Sequence, residues 1–437
     1  MYFDIIIRNG SIIDGTGRDS YKADIAILGD KIVDIGVIKG ASKKEINAKN
    51  LIITPGFIDI HTHYDGQAVW DNYLKPSSLH GVTTVIMGNC GVGFASCKKD
   101  DREKLIELME GVEDIPSPVM HEGLNWDWET FPEYLDALDK NNRDIDVCAL
   151  IPHAALRVFV MGKRAINHER ATEEDMIQMR KISADAIKSG AFGFSTSRTI
   201  SHKSCDGEFT PTLRAHESEL MAIAKGLKDA NSGFMEIVSD WNERSPEEEF
   251  AVLRKIAKST NIPIVFTCNQ RHDRTEYWKD LMRLAREAKY DNLSIRPVVA
   301  PRPIGILLGL NGSQNPFSGT PTYKKIAHLS LKERVNIMKS EKIRNNILDE
   351  DPIKDSKFPL INRISYKQMY EFGREANYAP DKNESLTQFL SAFELKSNNL
   401  LQPVFSFINA SEERINNNLN SIKEDSSKTK IFDELSE

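Results

Sequence analysis

Two hydrophobic rhythms succeed one another along this chain. Between residues 1 and 54, short runs rich in β-branched residues (FDIIIRNG, SIID, ADIAILGD, KIVDIGV) alternate or cluster between turn residues, and Gly29-Asp30 stands where a two-residue hairpin turn belongs. This pattern predicts a small antiparallel sheet that ends at Pro55-Gly56. The rhythm then changes. Nearly continuous apolar runs follow at FIDI (57–60), VTTVIMG (82–88), IDVCALI (145–151), AFGFST (191–196), GFMEIVS (233–239), IPIVFT (262–267) and LSIRPVVA (293–300). Runs of this kind belong to strands buried on both faces. Helical periodicity fills many of the gaps, clearly in EEDMIQMRKISADAIKSG, HESELMAIAKGLKDAN, PEEEFAVLRKIAKS and YWKDLMRLAREAKY, several of which stop at Gly or Asn. Strand–helix alternation builds a parallel sheet clothed in helices, and seven such strands predict a (β/α)8 barrel with one strand unaccounted for.

Residues 301–425 are less regular, with a Gly/Pro/Ser/Asn-rich loop at 302–322 and then mostly helical segments. LLQPVFSFI (400–408) is apolar, but Pro403 makes it a poor central strand. No eighth strand is predicted. The expected fold class is therefore α/β: an incomplete TIM-type barrel over 55–422 behind a β-sheet domain over 1–54, with a polar tail at 423–437. The open edges of strands one and seven would need a cover, and the helices of 366–422 are available for it.

Composition narrows the function classes. Hydrophobic residues make up 40% and charged residues 28% of the 437, enough for a sizeable core. A net charge of −7 gives no electrostatic reason to expect nucleic acid or an anionic membrane as partner. Five cysteines, an odd number without framework spacing, point to a reducing compartment. The opening MYFDIIIRNGSIIDG lacks a basic region, and Asp4 and Arg8 interrupt its apolar run, unlike a signal peptide. No segment approaches the ~20 apolar residues of a membrane span. A cytoplasmic protein with a small-molecule substrate is expected, and a homo-oligomer is compatible with all of this.

The chemistry concentrates in PGFIDIHTHYD, residues 55–65. Side chains alternate along a strand, so His61 and His63 share one face, and at the C-terminal mouth of a barrel that face is the active-site side. Two imidazoles there make half of a divalent metal site suited to zinc. A bare His-x-His is usually a surface pair; its position after Pro-Gly and a short buried strand makes this one far more specific. Cys90, in GVTTVIMGNCGVG, lies just beyond the second barrel strand in a Gly-flanked turn. A free cysteine alone is usually a small buried apolar residue. Beside His61 and His63 it reads as a thiolate ligand, able to bridge two ions.

The segments DIIIRNGSIIDGTG, PGFIDIHTHYD, GVTTVIMGNCGVGFA, IPHAALRVFVMG, GAFGFSTSRT and RPIGILLGLNGSQNPFSG resemble the N-acyl-D-amino-acid deacylase (D-aminoacylase) family of the amidohydrolase superfamily. LLQPVFSFINASEERINNNLNSI resembles a later segment of that family. The resemblance implies hydrolysis of a linear amide with one or two divalent ions, zinc foremost, and places His61, His63 and Cys90 on metal-ligand positions. It also implies histidines after strands five and six, an aspartate after strand eight as proton carrier, and C-terminal strands completing a composite β-sandwich with residues 1–54. Here the chain departs. Strands five and six end in FMEIVSDW and IVFTCNQRH, leaving Glu236, Gln270 and the displaced His272 as substitutes for the histidines. No Ser-Asp-Gly-Gly-Ala-His-like segment supplies the aspartate, so no catalytic residue is assigned. The expectation is a truncated or degenerate relative, and poor turnover by the chain as it stands. The rival reading is an inactive barrel retaining only metal or ligand binding. By their mouth positions, His153, Ser197 and Arg198 are expected at the substrate, with Arg198 forking onto a carboxylate. His80, His121, His168, His202, His216 and His328 are expected to be structural or exposed.

Overall fold

Strands β1 (Tyr2–Ile12), β2 (Tyr21–Leu28), β3 (Lys31–Gly36), β4 (Ala41–Asn47) and β5 (Ile52–Ile53) form the first sheet of the computed structural model. The structure describes residues 2–350, apart from 242–244, 271–273, 301–304, 306–307 and 311–314, together with short stretches between 353 and 385. β1–β2 and β2–β3 are antiparallel, and Gly29, at φ 61°, opens the two-residue turn between β2 and β3. β4 and β5, however, run parallel to β1. The sheet is mixed, which corrects the antiparallel one expected. Alternation reports the buried face of a strand and says nothing of its direction. The direction here is set by the crossing after β3. Arg8, the charge that breaks the first apolar run, holds that crossing by donating to the carbonyls of Ile38 and Gly40, while pairing with Asp24 and Glu45.

The second sheet has seven strands in chain order: β6 (Phe57–Asp59), β7 (Val82–Met87), β8 (Asp146–Pro152), β9 (Gly193–Ser197), β10 (Met235–Val238), β11 (Ile264–Thr267) and β12 (Ile295–Val298). Every neighbouring pair is parallel. They coincide with the seven apolar runs, because Val85, Met87, Phe194, Met235, Ile237, Ile264 and Phe266 are all fully enclosed. Burying such side chains contributes about 1.5–3 kcal/mol each.

The helices used below are α1 (Arg102–Glu113), α2 (His153–Met161), α3 (Glu173–Lys188), α4 (Glu217–Asp229), α5 (Pro246–Thr260) and α6 (Tyr277–Tyr290). Capping boxes start α3 (Thr172 with Asp175) and α5 (Ser245 with Glu248), and Asn261 in the left-handed region ends α5. Their apolar faces, for example Leu220, Phe250 and Leu253, complete one continuous core with the sheet.

β6 and β12 end the sheet, and among the described residues neither pairs on its outer side. Phe57 and Ile58 on β6 are accordingly 57% and 62% exposed. The helices expected over 366–422 lie almost wholly outside the described residues; LLQPVFSFI (400–408) and the tail 423–437 lie entirely outside them. Phe317, Tyr323, Met338 and Ile347 form a separate small core of short helices. No described helix is long and apolar enough to cross a membrane.

Candidate metal centre

The strand-like alternation of β6 continues past its last residue, and this places the two histidines. Thr62 turns toward β7, its amide and hydroxyl both donating to the Ile86 carbonyl at 3.0 and 2.9 Å. His61 and His63 therefore turn the other way together, with ring centroids 5.4 Å apart.

β7 ends in a tight turn, Gly88-Asn89-Cys90-Gly91, in which Gly88, Cys90 and Gly91 all have positive φ. Two of these positions require glycine for space as well. A Cβ on Gly88 would lie 2.4 Å from the Leu150 carbonyl oxygen, and one on Gly91 would lie 3.0 Å from the backbone of Thr196 and Ser197. Cys90, at φ 56°, is held in a conformation uncommon for a side-chain-bearing residue. Its neighbours do the holding. Ser195 accepts from the Gly91 amide at 3.0 Å and donates to the Gly88 carbonyl.

The result is a compact donor set. The ligating atoms of His61, His63 and Cys90 all lie within 4.8 Å of one another, a spacing that can hold a metal ion. His61 Nε2 is 3.2 Å from Cys90 Sγ. Carboxylates flank the trio. Glu236, on β10, accepts from the Cys90 amide at 3.3 Å and places Oε1 3.9 Å from His61 Nδ1. Glu113, at the end of α1, places Oε2 3.1 Å from His63 Nε2, and its carboxyl is near enough to the Cys90 thiol to act on its ionisation. His202 stands half-buried nearby, close enough for its charge to act on His63, and its Nδ1 meets Ser197 Oγ at 2.9 Å.

Burial pushes every one of these groups toward its uncharged form. It raises the carboxyl of Asp65 to about 7 and those of Glu113 and Glu236 to about 8. It drives the Cys90 thiol well up, aided by Glu113 and Glu236. It also lowers His61, takes His63 well down with help from His61 and His202, and brings His202 to about 4. His63 Nδ1, Asp65 Oδ2 and Glu236 Oε1 are buried without a hydrogen-bond partner. Unpartnered polar atoms and like-signed acids crowded around two imidazoles and a thiol fit a divalent cation, which would bring the raised acids and thiol back down and keep the imidazoles neutral.

The other expected site residues lie elsewhere in the chain's bonding. Both ring nitrogens of the fully buried His153 are occupied, Nδ1 with Thr196 Oγ1 at 2.7 Å and Nε2 with Glu219 Oε1 at 2.8 Å. Arg198 forks onto a carboxylate as expected, but onto Glu249 of this chain, at 3.1 Å through both Nε and Nη2, while Nη1 donates to the Ala215 carbonyl. Ser197 reaches the cluster through His202. Gln270 is exposed beyond β11, and His272 falls outside the described residues. His202, expected to be structural or exposed, instead stands beside the donor set, close enough to His61 and His63 for their charges to act on one another. Glu113 was missed altogether. Its one signal was an electrostatic anomaly, a glutamate closing a helix at the negative end of the dipole.

The amidohydrolase family profile matches residues 44–351 of this chain. The D-aminoacylase of Alcaligenes xylosoxydans xylosoxydans is 28% identical over 269 residues, covering 61% of this chain and 50% of that protein. The N-acyl-D-aspartate deacylase of the same organism is 34% identical over 197 residues, 44% of this chain and 36% of its own length. The chain thus spans half or less of these curated relatives. A crystal structure of D-aminoacylase shares the fold with a TM-score of 0.58 at 22% identity, over 80% of this chain and 70% of the other. The N-acyl-D-glutamate deacylase of Bordetella bronchiseptica, solved with zinc and a phosphonate inhibitor, gives 0.54 at 24% identity, over 69% and 59%. With the family profile spanning most of its length, this chain belongs to the amidohydrolase family, within which it resembles the N-acyl-D-amino-acid deacylases.

Proposed function

We propose that this chain is a zinc-dependent hydrolase of linear amide C–N bonds, with N-acyl-D-amino acids as its substrate class. The observation that carries the reading is the convergence of His61, His63 and Cys90 at the ends of β6 and β7. The relatives named as D-aminoacylase and as deacylases of N-acyl-D-aspartate and N-acyl-D-glutamate support the substrate class. A D-aminoacylase with a binuclear metal centre supports a site for one or two ions.

His61 and His63 would hold the ion through ring nitrogens and Cys90 through its thiolate, an N/S set suited to zinc. Zinc, when bound, supplies Lewis acidity toward a water and a carbonyl oxygen. The chain's own groups do the rest. Glu236 fixes the Cys90 backbone, and so the direction of the thiol. Ser197 engages Nδ1 of His202, so a proton exchanged by that ring passes through Nε2.

A second reading is favoured by one observation. β10 carries Glu236 and β11 is followed by Cys268 to Gln270, so no histidine follows either strand among the described residues. On this reading the chain binds metal and turns nothing over. Assaying the purified, zinc-supplemented chain against N-acetyl-D-amino acids and their L counterparts, with His61→Ala as control, separates the two. D-selective turnover abolished by the substitution supports the hydrolase. Stoichiometric zinc without turnover supports the inactive barrel, and failure to bind zinc overturns both.

A further inference from the structure

Glu113 belongs to no barrel strand. It closes α1, in the connection after β7, yet its carboxylate reaches the donor set: Oε2 lies 3.1 Å from His63 Nε2, and the carboxyl is near enough to the Cys90 thiol to act on its ionisation. A tetrahedral shell with bonds of ~2.0–2.3 Å sets its ligand atoms roughly 3.3–3.8 Å apart. The 3.1 Å contact of Glu113 with His63 and the 3.2 Å contact of His61 with Cys90 are slightly tighter edges of such a shell.

The position is a poor one for a carboxylate with no cation beside it. A helix C-terminus repels negative charge, and the further charges acting on Glu113, from Asp65, Glu236 and Asp114, are all acidic. The approach is also rigid. Gly111 packs so closely on residues 203–205 that a Cβ there would lie 2.1–2.3 Å from their backbone atoms. The Cys205 amide donates to the Glu107 carbonyl at 3.1 Å, fastening α1 to the same loop.

We propose that Glu113 is a direct ligand of the metal, its carboxylate closing from beside His63 onto an ion held by His61, His63 and Cys90. This rests on reading the trio as a metal centre. A thiolate and a carboxylate together neutralise a divalent ion, as a buried site requires. With four protein ligands, a water would enter only as a fifth ligand or in place of one of the four.

The test is metal binding by the full chain, stripped by chelation and then titrated with zinc against a competing chelator and with Co²⁺ by absorption. Wild type, Glu113→Gln and His63→Ala are compared, with circular dichroism of the apo forms as a check on folding. Glu113→Gln should weaken zinc binding by at least ~10–100-fold and shift the Co²⁺ d–d bands, while keeping the thiolate charge-transfer band of Cys90. Unchanged affinity and spectrum in Glu113→Gln, with both lost in His63→Ala, overturns the role of Glu113 and leaves the metal centre standing. If wild type itself takes up no metal, the metal centre is wrong and this proposal fails with it. Should Glu113→Gln fold poorly, Glu113→Asp keeps the charge on a shorter stem. A loss of ~10-fold or more is expected there, and unchanged affinity counts against the proposal.

Discussion

The side-chain amide of Asn89 donates to the carbonyl of Thr62, 3.2 Å away, and so ties the cysteine turn to the residue between the two histidines. The same amide reaches the Ile86 carbonyl at 2.8 Å. Ile86 keeps other donors from Thr62, but the buried Thr62 carbonyl depends on Asn89. Asn89→Ala should cost about 1–3 kcal/mol and weaken metal binding, since the spacing of Cys90 from His61 is no longer enforced. Urea unfolding and zinc competition check this. Native stability together with native affinity would remove Asn89 from the design of the site.

Arg198 should matter to folding more than to substrate. Its fork is closed on Glu249, which is 1% exposed. Breaking a buried pair by removing one partner typically costs about 3–5 kcal/mol. Arg198→Ala is therefore expected to lower the midpoint of denaturation sharply. A variant of unchanged stability with a raised KM would return Arg198 to the substrate-binding role that its position in the sequence suggested.

Acid should loosen the wall behind the cysteine turn. Burial pulls His153 below its ordinary 6.5, and the ring is held neutral between Thr196 and Glu219. Burial pushes Glu219 up, but His153 and Arg157 outweigh it and leave this carboxyl below its ordinary 4.5. Both are depressed pKa values, so the signs agree. The stability from His153 is full above 6.5 and lost as pH falls through its lower folded value; that from Glu219 is full above 4.5 and lost below it. Below about pH 6.5 the apo wild type should therefore lose stability relative to His153→Gln, whatever the buried acids of the metal centre add to both. Equal slopes in the two proteins would assign the acid sensitivity to other groups.

Gly111→Ala tests the close approach of α1 to residues 203–205. The added methyl meets backbone that cannot rotate away, so helix and loop must separate, at a cost of about 1–3 kcal/mol. Zinc affinity should fall with stability, because Glu113 and His202 lie on the two separated pieces. A crystal structure of the variant with the helix unmoved would refute this.

What the sequence displayed, it displayed through local periodicity. Seven apolar runs became seven strands, and His61 and His63 shared a face, because side-chain alternation is a property of neighbouring residues. The turn around Cys90 was legible from its glycines, whose φ values and close contacts leave room for nothing larger. Contacts made across the fold were not legible. The Cys90–Glu236 hydrogen bond spans 146 residues of chain, and nothing near either end announces it. Arg198 and His153 stood at the mouths of their strands as expected, but the acids that engage them, Glu249 and Glu219, come from helices one or two connections further on. The parallel course of β4 was hidden for the same reason: the ties that set it run from Arg8 to a crossing some thirty residues away.

The contact at Gly111 has a consequence for anyone who would transplant this site. Loops at a barrel mouth are ordinarily exchangeable parts, each anchored to its own strand and replaceable without regard to the next. Here the segment after β7 and the segment after β9 touch backbone to backbone, with Glu113 two residues beyond the contact and His202 one residue before it. A chimera that took 102–113 from this chain and 198–208 from another would inherit two halves cut to different templates. The two segments form a single cassette and have to be grafted, randomised or inherited together.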